Sequence, residues 1–441
     1  MSYRSAARPY ICDSCLGRLC FLRRIPLSPR RHISTSTART ALVASRCPPN
    51  LYESPQQEFE RSSSKTSIPR SDPRRLYSTQ QTPNRLPDLA TAGFAPLPDR
   101  RLISLSGPDA AKFLQGLVTN NVDSNRRTPF YSAFLDARGR VLWDVFVWVY
   151  PELAANDWAC YIEVDGGEAE ALAKHLKRHK LRSKISMKLV EENEVRVAAA
   201  WGLPSAELQH AAIIASLEDP RALNFGFRCL YKEENGLPEA ATSLTVPVVD
   251  TIQYHMRRYL HGIAEGPKEI PRESALPMEC NIDLSNGIDF KKGCYVGQEL
   301  TIRTKHTGVV RKRMLPVQLY LEQADIGKAT LPDLDPTWNH KPIKSGADIK
   351  PLDEEGNVKK GRAAGKFIAG IGNVGLALCR LEMMTSMRVS AEGGSWKPNA
   401  EFGVQREEAD GVEKPVKIKA IAHQWFQERE RDMWDKGRNR V

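Results

Sequence analysis

No apolar run in this 441-residue chain approaches the eighteen or so residues that a membrane-spanning helix needs, and the longest, Val141 to Tyr150, is interrupted by Asp144. Paired cysteines are scarce as well. Cys12, Cys15 and Cys20 have no fourth ligand at zinc spacing. Beyond Cys47 the remaining five (Cys160, Cys229, Cys280, Cys294, Cys379) are scattered, odd in number and free of any C-x-x-C pair. This excludes a disulfide framework and a self-contained zinc or iron–sulfur site. Basic excess is missing from most of the chain. The formal charge is +11, but residues 1–90 hold 15 Lys or Arg against 6 Asp or Glu, and the rest holds 49 against 47. A nearly neutral body without interleaved aromatics argues against nucleic acid as a partner.

Residues 1–40 carry eight arginines, no lysine and one acid, Asp13, among many Ser and Thr. That is the composition of a mitochondrial presequence, the alternative being a disordered basic tail. Arg31 to Ser36 and Arg74 to Ser78 resemble processing sites, so the mature chain is expected to begin between residues 35 and 79 and to reside in the mitochondrial matrix. Residues 41–91, rich in Ser, Pro, Arg and Gln, read as a disordered or processed linker.

From Phe94 onward periodicity appears. Arg101–Leu105 predicts a strand, and Ser106 reads as the N-cap of a helix with Ala110, Phe113, Leu114 and Leu117 on one face. Phe130–Leu135 and Val141–Tyr150, joined by Asp136-Ala137-Arg138-Gly139, predict a β-hairpin. Trp158–Val164 adds a strand and Gly167–Lys180 a helix. The basic run Lys177 to Arg182 that follows reads as a solvated face, although it could contact an anion. Strands are expected near 184–190, 195–200 and 225–231, with helices near Ala206–Ser216 and Thr251–Ile263. After Arg311-Lys312-Arg313 the pattern changes to short, glycine-punctuated β segments, as in a small antiparallel barrel over 311–425. Within it, 322–343 and 393–413 look like inserted loops. Residues 426–441 read as a charged tail, a solvated helix or disorder.

Chemistry concentrates in Lys291-Lys292-Gly293-Cys294-Tyr295-Val296-Gly297-Gln298-Glu299. Two glycines mark a tight loop, and Cys294 would ride on it. The two lysines would favour the thiolate, the form that binds metal or attacks an electrophile.

The stretch Lys292-Gly293-Cys294-Tyr295-x-Gly297-Gln298-Glu299 resembles the signature of the YgfZ-type proteins, folate-binding relatives of the glycine-cleavage aminomethyltransferase. Further landmarks are Phe113-Leu114-Gln115-Gly116-x-x-Thr119-Asn120, Gly139-Arg140-Val141-Leu142-x-Asp144, Lys180-Leu181-Arg182-Ser183-Lys184 and Asp219-Pro220-Arg221. Tyr254-x-x-x-Arg258 with Gly262-Ile263-x-Glu265-Gly266, Leu276-Pro277-x-Glu279 and Gly375-Leu376-Ala377-Leu378 complete the set. With a presequence in front, the similarity points to the mitochondrial branch, which assists iron–sulfur proteins of the aconitase and lipoyl-synthase class. The resemblance implies an α+β fold: a three-lobed ring over 92–310 that accepts tetrahydrofolate, followed by the barrel. It implies Asp144, Tyr254, Arg258, Glu279, Gln298 and Glu299 as folate-pocket groups. It also implies Cys294 as the ligand of a transient cluster shared with a partner, an A-type iron–sulfur carrier, on the way to client enzymes. Aminomethyltransferases carry two aspartates where this chain has Trp143 and Asp144, which puts aminomethyl transfer in doubt. A folate-dependent one-carbon transferase is thus the alternative reading, and an RNA-modification factor, suggested by the basic stretches, the third.

Overall fold

The computed structural model describes residues 85–153, 157–209, 212–232, 244–321, 331–390, 394–405 and 415–438. The presequence and linker expectations for residues 1–84 lie outside the described residues, as do Cys12, Cys15, Cys20 and Cys47. Strands Gly93–Pro96 (β1) and Arg100–Ser106 (β2) go to different sheets. Helix Ala110–Gln115 (α1), strands Phe130–Leu135 (β3), Val141–Val149 (β4) and Ala159–Asp165 (β5), helix Ala169–His179 (α2) and strand Ser186–Leu189 (β6) follow. With β2 these strands form an antiparallel sheet in the order β3-β4-β5-β2-β6. Every residue of β3 and β4 is buried, so the hairpin expected around Asp136–Gly139 is covered on both faces. Trp143, Val145 and Val147 meet Leu172 and Leu176 of α2 in one core, while Phe146 and Trp148 face a second core shared with the other lobes.

Arg196–Trp201 (β7), Ile213–Glu218 (β8) and Phe227–Tyr231 (β9) join β1 in a second sheet, β1-β7-β9-β8. The helix expected over 206–216 is therefore a single 3-10 turn, Ser205–Leu208, followed by β8. Apolar spacing alone did not separate the two periods. Ile213, paired with Tyr231 of β9, takes the extended form that β-branched residues favour. Helix Thr251–His261 (α3) starts where the Asp250 carboxylate accepts from the Ile252 N–H, and it stops at Gly262, whose φ is 75°. The N-cap of α1 is Asp109 rather than Ser106. Its carboxylate makes no capping bond but accepts from the Lys184 backbone N–H at 2.7 Å.

Gln298–Thr307 (α4), which periodicity had not indicated, leads into Lys312–Tyr320 (β10). Asp348–Pro351 (β11), Gly365–Ile371 (β12), Val374–Arg380 (β13), Phe402–Val404 (β14) and Val416–Ala420 (β15) complete a closed antiparallel barrel, β10-β13-β12-β11-β14-β15. β15 pairs back onto β10. Part of the span expected to be a loop, 393–413, thus supplies a barrel strand. After the short helix Leu381–Met384 (α5) and β14–β15, the supposed tail is the helix Gln424–Arg438 (α6). It is docked rather than solvated. Phe426, Glu430 and Trp434, spaced by four, are buried. The Trp434 indole N–H donates to Asp283 at 3.0 Å, Arg429 donates to the Leu284 carbonyl at 2.9 Å, and Lys305 of α4 donates to the Met433 carbonyl.

Candidate functional site

Cys294 is the exposed one of the five described cysteines. Burial pushes the other four thiols up, Cys229 to about 12 and Cys160, Cys280 and Cys379 further. Its two flanks are anchored inward. Lys292 gives its ammonium hydrogens to the carbonyls of Gln115, Val118 and Asn120, at 2.8, 2.6 and 2.8 Å, where α1 ends. Tyr295 is buried with Lys292 4.8 Å from its ring centre, and the Val296 N–H donates to the Gly116 carbonyl. Lys292 is thus committed to the end of α1 and the segment that follows it, and does not serve as the cation beside the thiolate that the sequence suggested. Burial pulls its ammonium down from the usual lysine range and Asp289 opposes this. The three carbonyls are acceptors that the ammonium hydrogens satisfy.

The two glycines differ. Gly297 has φ 81°, and a Cβ there would lie 2.2 Å from the Asp136 carbonyl, so the loop is locked onto the β3–β4 turn. Gly293 has nothing within 4 Å of where its Cβ would stand. The space beside Cys294 is open on that side. The arrangement offers one sulfur donor on a pinned support. Among the described residues no group of three His, Cys, Asp or Glu side chains could hold a metal.

Asp144 sits elsewhere, in a buried seam where the two sheets and α3 meet. Its Oδ1 accepts from the Gly266 N–H at 3.1 Å and its Oδ2 has no partner. Burial raises its pKa, with Glu265 adding and Arg100 and Arg221 opposing. Tyr254 is buried in the same seam, its hydroxyl accepting from Arg221 and Arg228 and donating to Glu265 at 2.7 Å. Burial would raise Glu265, but Arg228, Arg100, Arg221 and Arg258 outweigh it and hold this carboxylate well below its usual range. Glu163 accepts from Arg100 at 2.8 Å, from Arg228, and from the Trp148 indole at 3.1 Å. Arg100, Glu163 and Arg228 were not singled out from sequence as pocket groups, and Arg221 and Glu265 stood in family landmarks without a pocket role. Glu163 carried a signal, a lone charge inside the apolar strand Cys160-Tyr161-Ile162-Glu163-Val164, whereas Arg221 and Glu265 lie outside strands and carried none of that kind.

The other expected pocket groups are not brought to this seam's orphan oxygen. Arg258 is held by Glu269 through two bonds of 2.7 and 3.1 Å and by the Ile263 carbonyl, so its charge is already paired. Glu279 pairs with Lys312 at 2.6 Å, on the wall of a separate groove of about 230 Å³ between α4 and the start of β10. The Gln298 side-chain carbonyl accepts from the Tyr295 N–H at 3.1 Å, and Glu299 is exposed on the first turn of α4.

Two consequences bear on folate. The orphan Asp144 oxygen is the acceptor that a donor-rich pterin edge needs. The cavity nearby, bordered by Tyr131, Arg221, Cys280 and Ser285 and not by Asp144 itself, measures about 10 Å³, the space of one water, and does not fit a tetrahydrofolate. Trp143 also carries a different meaning from the one the resemblance implied. It lies in the core on the α2 side of β4, with its indole N–H on Glu168 at 2.7 Å, and so it stands away from Asp144 across the sheet. The tryptophan therefore does not remove an acid–base group from the seam.

Residues 311–401 match the model of the CAF17 C-terminal β-barrel domain. A protein of Phaeosphaeria nodorum named as a mitochondrial homologue of the iron–sulfur cluster assembly factor IBA57 is 50% identical over 351 residues, covering 78% of this chain and 83% of that protein. Homologues with the same name from Aspergillus clavatus and Neurospora crassa are 44% and 42% identical, covering 76% and 83% of this chain and 82% and 87% of their own. Among solved structures, aminomethyltransferase T of the glycine cleavage system from Bartonella henselae superposes with a TM-score of 0.51 at 15% identity. It covers 77% of this chain and 87% of that one, and it shares the fold.

Proposed function

The chain belongs to the family of mitochondrial iron–sulfur cluster assembly factors of the IBA57 type, and from that membership we propose that it acts through Cys294 as one ligand of a cluster held jointly with a carrier protein. Maturation of iron–sulfur proteins in the mitochondrion is its role, with the matrix as its compartment. The observation that carries the thiol reading is the contrast at the loop: Lys292 and Tyr295 anchored inward, Cys294 exposed, and free space at Gly293. A cluster needs about four ligands, so one cysteine requires a second protein or a small thiol to complete the set. An A-type carrier suits that part, with aconitase-class and lipoyl-synthase-class enzymes as recipients. The cluster is cargo. Anaerobic reconstitution tests this: the protein with an A-type carrier should develop a cluster absorption and circular dichroism spectrum that neither gives alone. Spectra that are the sum of the separate proteins would refute the shared site.

Tetrahydrofolate is the finer element. It rests on the fold likeness and on the orphan Asp144 oxygen, and binding would require the narrow cavity to widen; no step of cluster transfer is routed through it. Titration calorimetry with tetrahydrofolate should give measurable heat for the native chain. Asp144→Asn should weaken binding by about 1.5–3 kcal/mol, the worth of a hydrogen bond to a charged group. Absence of heat with the native chain removes folate from the function, and equal isotherms remove Asp144 from the folate site. Arg258→Ala, at a residue that the resemblance implied as a folate-pocket group, should act on stability by stranding Glu269.

A further inference from the structure

The family landmark Lys180-Leu181-Arg182-Ser183-Lys184 has no part in either site described above. It nevertheless has unusual geometry. Leu181 is 89% exposed and has φ 43°, a left-handed conformation that a branched side chain adopts rarely. Folding alone gains nothing from exposing leucine, or from holding its backbone there. The loop is nonetheless held firmly. The Asp109 carboxylate accepts from the Lys184 N–H at 2.7 Å, and the Ser183 N–H donates to the Lys180 carbonyl at 2.8 Å. Gly107 approaches so closely that a Cβ there would stand 2.5 Å from the Lys184 carbonyl.

Leu181 overhangs an open depression of about 620 Å³ lined by Asp109, Lys112, Phe113, Arg182 and Ser183. Lys112, Arg182 and Lys184 are exposed and form no ion pair among the described residues. Lys177 and Arg178, at the end of α2, are accounted for by the helix dipole; Arg182 and Lys184 lie beyond that helix. The one acid in the depression, Asp109, is already bonded to the Lys184 backbone. A projecting aliphatic side chain ringed by unpaired cations fits a protein face with a small apolar recess and an acidic rim. Nucleic acid would use the cations but has no need of a leucine.

This surface also connects to the thiol. α1 begins at Asp109, which clamps the Leu181 loop, and ends at Gln115 and Gly116, which hold Lys292 and Val296 beside Cys294. Six helical residues rise about 9 Å, so the two loops are braced by opposite ends of one short helix. We propose that the Lys180–Lys184 loop, with Leu181 as anchor, is the docking surface for the acidic protein partner that completes the Cys294 site. This rests on the shared-cluster reading and adds to it where the partner is gripped.

Binding of an A-type carrier to the full chain, measured by interferometry at low and high salt alongside the reconstitution spectrum, tests it. Leu181→Gly is the informative variant, because glycine accepts the left-handed backbone and should leave the chain as stable as before or more so. It should weaken carrier binding by at least roughly tenfold, as loss of a central apolar anchor does. Arg182→Glu should weaken binding mainly at low salt. Cys294→Ser should abolish the joint spectrum while keeping most of the docking. Native affinity in Leu181→Gly, with the spectrum still lost in Cys294→Ser, overturns the docking surface and leaves the shared site standing. Absence of both binding and joint spectrum with the native chain overturns the shared site, and the docking surface with it. Loss of oligouridylate binding in Arg182→Glu, with carrier affinity intact, makes the loop a nucleic-acid surface and likewise overturns the proposal.

Discussion

Cells that lack the native protein and receive Cys294→Ser should accumulate folded, full-length protein and still leave aconitase-class enzymes as inactive as in the empty strain. The substitution changes one exposed atom on a loop held by its neighbours, so its stability cost should stay within about 0.5 kcal/mol. A hydroxyl is a poor ligand for iron, however, so the whole effect should fall on cluster chemistry. The buried cysteines should show the opposite pattern. Cys160→Ser or Cys379→Ser places a hydroxyl where no water reaches, which should cost about 1–3 kcal/mol in denaturant midpoints while client activity survives at permissive temperature. Client enzyme assays beside urea denaturation check both halves. Full client activity with Cys294→Ser would sink the ligand reading and leave the loop a structural feature.

Asp283→Ala should be among the most destabilising single changes in the molecule. Asp283 and Arg313 are both fully buried and paired through two bonds of 2.9 Å, and the same carboxylate accepts from the Trp434 indole. Truncating the acid strands a guanidinium in the interior, which typically costs about 3–5 kcal/mol, and it also frees α6 from its anchor. Urea unfolding measures the first effect. Limited proteolysis should show the second as early cleavage near residue 424. Replacing both partners together, Asp283→Leu with Arg313→Met, should recover much of the loss, because no unpaired charge then remains. A single variant with an unchanged midpoint would mean that the pair is not buried as described.

The reading from sequence went furthest where one physical signal dominated. The β3–β4 hairpin, α2, α3 and four barrel strands were legible because alternation or helical spacing ran long enough between glycine and polar breaks. It failed where tertiary partners decided. Ile213 and Ile214 could belong to either period until pairing with β9 settled the matter, and β14 is too short to announce itself. α6 hid because Phe426, Glu430 and Trp434 form a narrow stripe among charges. At the sites, the exposed thiol followed from its glycines and polar neighbours, but the role of Lys292 did not. Adjacent lysines look alike in sequence, and only the position of the Gln115, Val118 and Asn120 carbonyls distinguishes them. The buried seam was half legible: Asp144 and Tyr254 came from the resemblance, whereas Arg258 and Glu279 turned out to have full-time partners.

That pair of lysines also supplies a gauge. Lys291 is exposed, and Lys292, one residue on, has its three hydrogens engaged by three carbonyls. An acylating reagent applied briefly should therefore mark the first and spare the second, and cleavage at arginine alone releases both on one fragment, residues 273–303. The ratio of the two labels reads out loop integrity within a single peptide, independent of protein concentration or client supply. A shift toward equal labelling would report that the support beneath the sulfur has come away, whichever distant change released it.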